Sequence, residues 1–187
     1  TGGPDSPLIL WNHRWEHDKN PEAFFKVLFE LDRPELNWKV AVVGEQYARA
    51  PEIFEEAKRR LAHRIERLGF LERREAYAGL LAHATIVVST ANQENFGISV
   101  VEAIVAGAVP LLPRRLSYPE LIPRDLHRFF LYERDEELSA KIERVLRSPG
   151  SMAGPLKSLK ARLARLCWED HAARFDLLLN RLLFPGR

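Results

Sequence analysis

Apolar positions in this chain follow two alternating patterns. Short unbroken runs at Leu8–Trp11 and residues 40–43, 85–88 and 109–112 have the length of buried strands, and the weaker Ile65–Leu68 joins them. Longer stretches between them show helical spacing. Asn20 caps a helix with Pro21 in its first position and Ala23, Phe24, Val27, Leu28 and Leu31 on one face. Pro51 opens a helix to about Arg64, acidic first and basic last, an order that suits the helix dipole. A short helix over 73–82 and another over 97–107 follow. Beyond them come a turn at Tyr118, Pro119 and Glu120, an edge strand over 129–131 and a helix over 135–146. After a break at Ser148, Pro149 and Gly150, two further helices are predicted over 155–166 and 168–184. Strands alternating with helices across short loops predict an α/β fold, a Rossmann-like doubly wound parallel sheet.

The centre of this pattern is TIVVSTANQENFGISVVEAIVAGAVPLLP, residues 85–113, which reads as strand, loop, helix, strand, with Pro113 stopping the last apolar run. In such a unit the helix N-terminus faces the carboxyl end of the strand with unpaired N–H groups, a setting that attracts phosphate. Gly97 has no side chain to hinder a ligand approaching that backbone. Glu94 in the loop and Glu102 in the helix bracket the helix start, and carboxylates accept hydrogen bonds from the hydroxyls of a polyhydroxylated ligand. The same spacing recurs at Glu22 and Glu30, but that pair falls within one predicted helix.

With the common strand order 3-2-1-4-5-6, the loops after the first and fourth strands meet where the winding reverses, the place where such sheets bind ligands. The first of these loops carries Arg14 and Lys19, candidates for clamping a diphosphate, one as a planar fork and the other as a point charge. Gly44, and the Gly69, Phe70 and Leu71 segment, end the second and third strands. Backbone groups there could read a base edge, and the helix carrying Tyr77 could wall that pocket; ordinary strand-end turns explain the same residues equally well.

At 187 residues the chain suits one domain burying roughly 70% of its unfolded surface. Residues 1–7 read as a linker and 8–187 as the domain, including the C-terminal helices within 155–184. A net charge of +2 does not argue for nucleic acid by itself. The single Cys167 excludes an internal disulfide and fits a reducing cytoplasm. No membrane partner is expected, since no run of about eighteen apolar residues occurs. His13, Glu16, His17 and Asp18 share one loop and converge poorly on a single ion, so no metal site is expected there. His13 could still line the pocket. Lys157, Lys160, Arg162 and Arg165 give one helix a basic face, open to RNA phosphates or simply to solvent. The apolar face of the last helix, Trp168, Phe175, Leu178, Leu179 and Leu182, is explained by core packing.

The stretch ENFGISVVEAIVAGAVPLL resembles the donor-site signature of retaining GT-B glycosyltransferases. With HRWEHDKNP before it and LSYPELIP after it, the pattern is more narrowly similar to tRNA-queuosine α-mannosyltransferases. The resemblance covers nearly the whole chain but only the C-terminal, donor-binding half of such an enzyme. It implies a GDP-mannose donor, a queuosine acceptor in tRNA reached through a missing N-terminal domain, and no cofactor or metal. It matches Arg14 and Lys19 to the cations on the donor pyrophosphate and Glu94 to the carboxylate near the donor sugar. It also aims the backbone amides of Phe96, Gly97 and Ile98 at sugar and phosphate, and sets Glu102 on the ribose. The last helix then resembles the one that crosses toward the partner domain. Two alternatives stand beside this reading. One is a GT-B enzyme with another nucleotide sugar and a small-molecule or glycan acceptor; the other is a non-catalytic module binding a sugar nucleotide or RNA.

Overall fold

The computed structural model describes residues 6–46 and 50–164, with 172, 175–177, 181 and 183. Among them runs a six-stranded sheet of β1 (Leu8–Trp11), β2 (Lys39–Val42), β3 (Ile65–Leu68), β4 (Ala84–Val88), β5 (Val109–Pro113) and β6 (Leu131–Tyr132). The helices are α1 (Pro21–Glu30), α2 (Ile53–Arg60), α3 (Arg74–His83), α4 (Ile98–Ala106), α5 (Tyr118–Leu121), α6 (His127–Phe130), α7 (Asp135–Arg147) and α8 (Ala153–Leu163). Every strand pairing is parallel, in the order β3-β2-β1-β4-β5-β6. The doubly wound, Rossmann-like sheet is therefore present, with β1 and β4 adjacent where the winding reverses. Among the described residues no helix is long and apolar enough to cross a membrane.

β1 and β5 are buried at every position, as runs covered on both faces should be. Trp11 at the end of β1 stacks on Phe24 of α1 with ring centroids 5.8 Å apart. Trp15, four residues further on, stacks on Phe54 of α2 at 4.2 Å. This aromatic cluster pins the loop after β1 to the helical layer. Asn20 does cap α1, from a left-handed conformation (φ 51°) that Asn tolerates, and its side chain accepts the Ala23 N–H.

Several boundaries differ from expectation. The second helix ends at Arg60 rather than near Arg64. Arg64 instead turns its guanidinium onto Asp32 and the carbonyls of Arg33 and Leu36, and this tertiary anchorage outweighs helix propensity. The edge strand is Leu131–Tyr132 rather than 129–131, because the segment before it closes into a helical turn that buries Phe130. Tyr132 then donates its hydroxyl to the Ser89 carbonyl. Pro113 does not stop β5 but pairs with Tyr132, and Arg114 N–H continues the ladder to the Tyr132 carbonyl at 2.7 Å. α8 starts at Ala153 and ends at Leu163, earlier than the expected 155–166. Most of the expected last helix lies outside the described residues, as do Arg165 and residues 1–5.

Candidate active site

The loops leaving β1 and β4 are tied together by their own backbone. Asn92 and Gln93 N–H both donate to the Asp18 carbonyl, at 2.7 and 3.2 Å. The buried Thr90 hydroxyl meets the carbonyls of Lys19 and Asn20 at 3.0 and 2.9 Å. Arg115 braces the second loop from below, donating to the carbonyls of Thr90 and Ala91. Between the two loops opens a cleft of about 450 Å³. Its walls include Arg14, Lys19, Glu94, Phe96, Gly97 and Ile98, so the cations of the first loop and the helix start after the second do converge.

Lys19 is only 7% exposed. Its ammonium donates to the Gln93 carbonyl at 2.6 Å and pairs with Asp18 at 3.2 Å and Glu94 at 3.5 Å. A buried ammonium requires such partners. Arg14 is far more open and leans on Glu16 and Asp18, at 3.3 and 3.7 Å. Both cations of the cleft thus rest on carboxylates of the protein itself.

Glu94 does more than face Lys19. Its Oε1 accepts the backbone N–H groups of Asn95, Phe96 and Gly97, at 3.0, 3.4 and 3.0 Å. The amides of Phe96 and Gly97, expected to point at a ligand, are therefore turned onto this carboxylate. Within α4 the first backbone bond runs from Val101 to Gly97, at 3.0 Å. Among the described residues nothing accepts from the N–H groups of Ile98, Ser99 and Val100, which leaves these three at the cleft end of the helix. Gly97 itself has φ 87°, and an added Cβ would come within 3.1 Å of the Tyr118 ring. The local fold thus demands glycine there whether or not a ligand approaches.

A second cavity of about 380 Å³ adjoins the first through Asn12, His13 and Arg14. Gly44, Phe70, Leu71 and Tyr77 line it, so the ends of β2 and β3 meet where expected. Gly44 has a tighter duty as well. A Cβ there would sit 1.8 Å from the His13 carbonyl oxygen, so only glycine lets the β1 and β2 ends lie side by side. Phe70 is exposed and Leu71 half-buried.

Glu102 lines neither cavity. It is exposed and its Oε2 accepts the Tyr77 hydroxyl at 3.1 Å. α4 keeps only Val100, Ala103 and Ile104 inside, leaving Ile98 and Val105 exposed with Glu102.

The two histidines of the first loop diverge. His13 is buried, meets the Val88 carbonyl through Nε2 at 3.3 Å, and burial pushes its pKa down to about 4, helped by nearby Lys19. His17 is exposed beside Glu22. On α8, Arg162 is drawn into a bidentate pair with Asp125, which reduces the basic face.

Sequence reasoning missed Asn12, Asp18 and Gln93. Asn12 is buried at the end of an apolar strand, and a polar residue directly after LILW was the available signal.

Residues 3–161 match the family described as glycosyl transferases group 1. Over 141 residues the chain is 38% identical to a tRNA-queuosine alpha-mannosyltransferase of Drosophila melanogaster, covering 75% of this chain and 36% of that protein. The chain thus spans about a third of that relative's length. Sucrose-phosphate synthase of Thermosynechococcus elongatus superposes with TM-score 0.82 at 18% identity, over 97% of this chain and 47% of that one. The C-terminal domain of a glycosyl transferase group 1 family protein (LpcC) from Francisella tularensis superposes with TM-score 0.65 at 17% identity, over 90% of this chain and 86% of that one. At those identities the superpositions establish the fold, the Rossmann-like half found in GT-B glycosyltransferases. The match over residues 3–161 establishes more: this chain belongs to the glycosyl transferases group 1 family.

Proposed function

We propose that the cleft between the β1 and β4 loops binds the diphosphate of a nucleotide-sugar donor, with the nucleoside in the adjoining cavity. The observation that carries this reading is the sheet order, which brings Arg14, Lys19, Glu94 and the start of α4 to one switch point. Arg14, Lys19 and the N–H groups of Ile98, Ser99 and Val100 serve the phosphates, Glu94 the sugar and Glu102 the ribose. Gly44, Phe70 and Leu71 frame the base. From the similarity to the fly enzyme we take the transferred sugar to be mannose and the acceptor to be queuosine in tRNA, acting in the cytoplasm; the resemblance of the donor-site signature suggests GDP-mannose as the donor.

In this reading the bond from the sugar C1 to the diphosphate oxygen breaks as a bond from C1 to the acceptor oxygen forms. The proton of the attacking hydroxyl passes to the departing phosphate. Charge builds on that phosphate, and preorganised cations and helix N–H groups are the groups that stabilise it, without a metal ion.

The test is a calorimetric panel of GDP, UDP and ADP in metal-free buffer, in which GDP should bind best. Preference for UDP or ADP would sink the GDP assignment, and no binding of any of the three would sink the reading itself. The full-length protein should mannosylate queuosine-containing tRNA, whereas this chain alone should not. Mannosylated nucleoside formed by the 187 residues alone, seen by mass shift, would contradict that division.

A further inference from the structure

We propose that Tyr77, held by Asn12, is the positioning residue that sets the Glu102 carboxylate for the donor ribose. This inference rests on the nucleotide reading of the site. The geometry is a chain of hydrogen bonds joining three elements. Asn12, just past β1, is buried and reaches Ser99 at the start of α4 and Tyr77 on α3. Its Nδ2 lies 2.8 Å from the Ser99 carbonyl oxygen and 3.0 Å from the Tyr77 oxygen.

The direction of this chain is fixed by chemistry. A carbonyl only accepts, so the group facing Ser99 must be the amide nitrogen of Asn12, and its second proton goes to the Tyr77 oxygen. Having accepted there, the phenol turns its own proton to Glu102 Oε2, 3.1 Å away. Burial, with the Glu102 charge adding to it, raises the Tyr77 pKa to about 12, so the phenol keeps that proton at neutral pH. Glu102 belongs to an exposed helix face and would otherwise sample many rotamers. A single fixed donor on one oxygen leaves the other free, and a carboxylate oriented this way is prepared to accept from a vicinal diol.

The two hydrogen bonds of Asn12 also tie α3 and α4 to the end of β1. Asn12 Oδ1 is buried without a partner among the described residues. Such an atom is costly, which argues that the amide is retained for its two donations.

Tyr77→Phe separates this role from simple packing, because it removes the hydroxyl and keeps the ring that walls the second cavity. GDP and 2′,3′-dideoxy-GDP would be titrated into the wild-type chain, Tyr77→Phe, Glu102→Gln and the double variant, each with a melting curve. Wild type should favour GDP. In Tyr77→Phe that preference should shrink about fivefold, the worth of one hydrogen bond. The double variant should lose no more than Glu102→Gln alone, the signature of two residues acting as one unit. If Tyr77→Phe keeps the full preference for GDP, or the losses simply add, the positioning role is overturned while the ribose reading survives. If wild type itself does not distinguish the two nucleotides, the ribose reading falls and this inference with it.

Discussion

Lys19 and Glu94 face each other across the cleft with Nζ and Oε2 3.5 Å apart, although one comes from the loop after β1 and the other from the loop after β4. The pair closes the site with opposite charges that are both mostly buried. In the proposed reading a bound diphosphate competes with Glu94 for the ammonium, and each side chain is a separate handle on binding.

Replacing Lys19 with Ala removes the buried cation. A charge-assisted contact is worth about 1.5–3 kcal/mol, so GDP affinity should fall roughly ten- to a hundredfold by calorimetry. Unchanged affinity would remove Lys19 from the diphosphate.

Glu94→Ala should act in the opposite sense on binding. It releases Lys19 and the amides of Phe96 and Gly97 from their internal anion. GDP should bind this variant at least as tightly as wild type, while mannose transfer by the full-length protein carrying it is lost. A fall in GDP affinity matching that of Lys19→Ala would show that Glu94 holds the loop in shape rather than competing with the ligand.

His13 makes stability depend on pH. Its folded pKa of about 4 lies below the ordinary 6.5, so the unfolded chain takes up the proton first. The stabilisation from keeping His13 neutral is present above about 6.5 and is lost as pH falls toward 4, about 3 kcal/mol in all. Urea melts of wild type and His13→Gln between pH 7 and pH 4 should converge on acidification, since Gln can donate to Val88 without titrating. Parallel curves would mean that His13 protonates as freely in the fold as outside it.

Gly44→Ala should destabilise by about 3 kcal/mol or more, because the added methyl meets rigid backbone rather than a side chain that can swing away. Thermal melting decides this. A loss under about 1 kcal/mol would show that the β1 and β2 ends can separate cheaply.

The parts of this molecule legible in the sequence are those decided locally or by the common topology. The buried runs of β1, β4 and β5, the Asn20 cap and the glycine before α4 needed only neighbouring residues. The meeting of Arg14 and Lys19 with Glu94 needed only the strand order. What escaped was settled by contacts distant in sequence. Asn12 finds Tyr77 and Ser99, 65 and 87 residues away, and no local pattern announces either. The α2 boundary was set by Arg64 reaching back to Asp32, and the β6 boundary by Phe130 entering the core. The exposure of Glu102 also escaped, because apolar neighbours along a helix do not reveal which face is covered.

The contact between Gly44 and the His13 carbonyl has one more effect. It holds the strand end that leads to Arg14 against the strand end bordering the second cavity, and the two hollows share Asn12, His13 and Arg14 as a common wall. In the proposed reading, the phosphate end and the aromatic end of one nucleotide meet two hollows whose spacing is set by that shared wall.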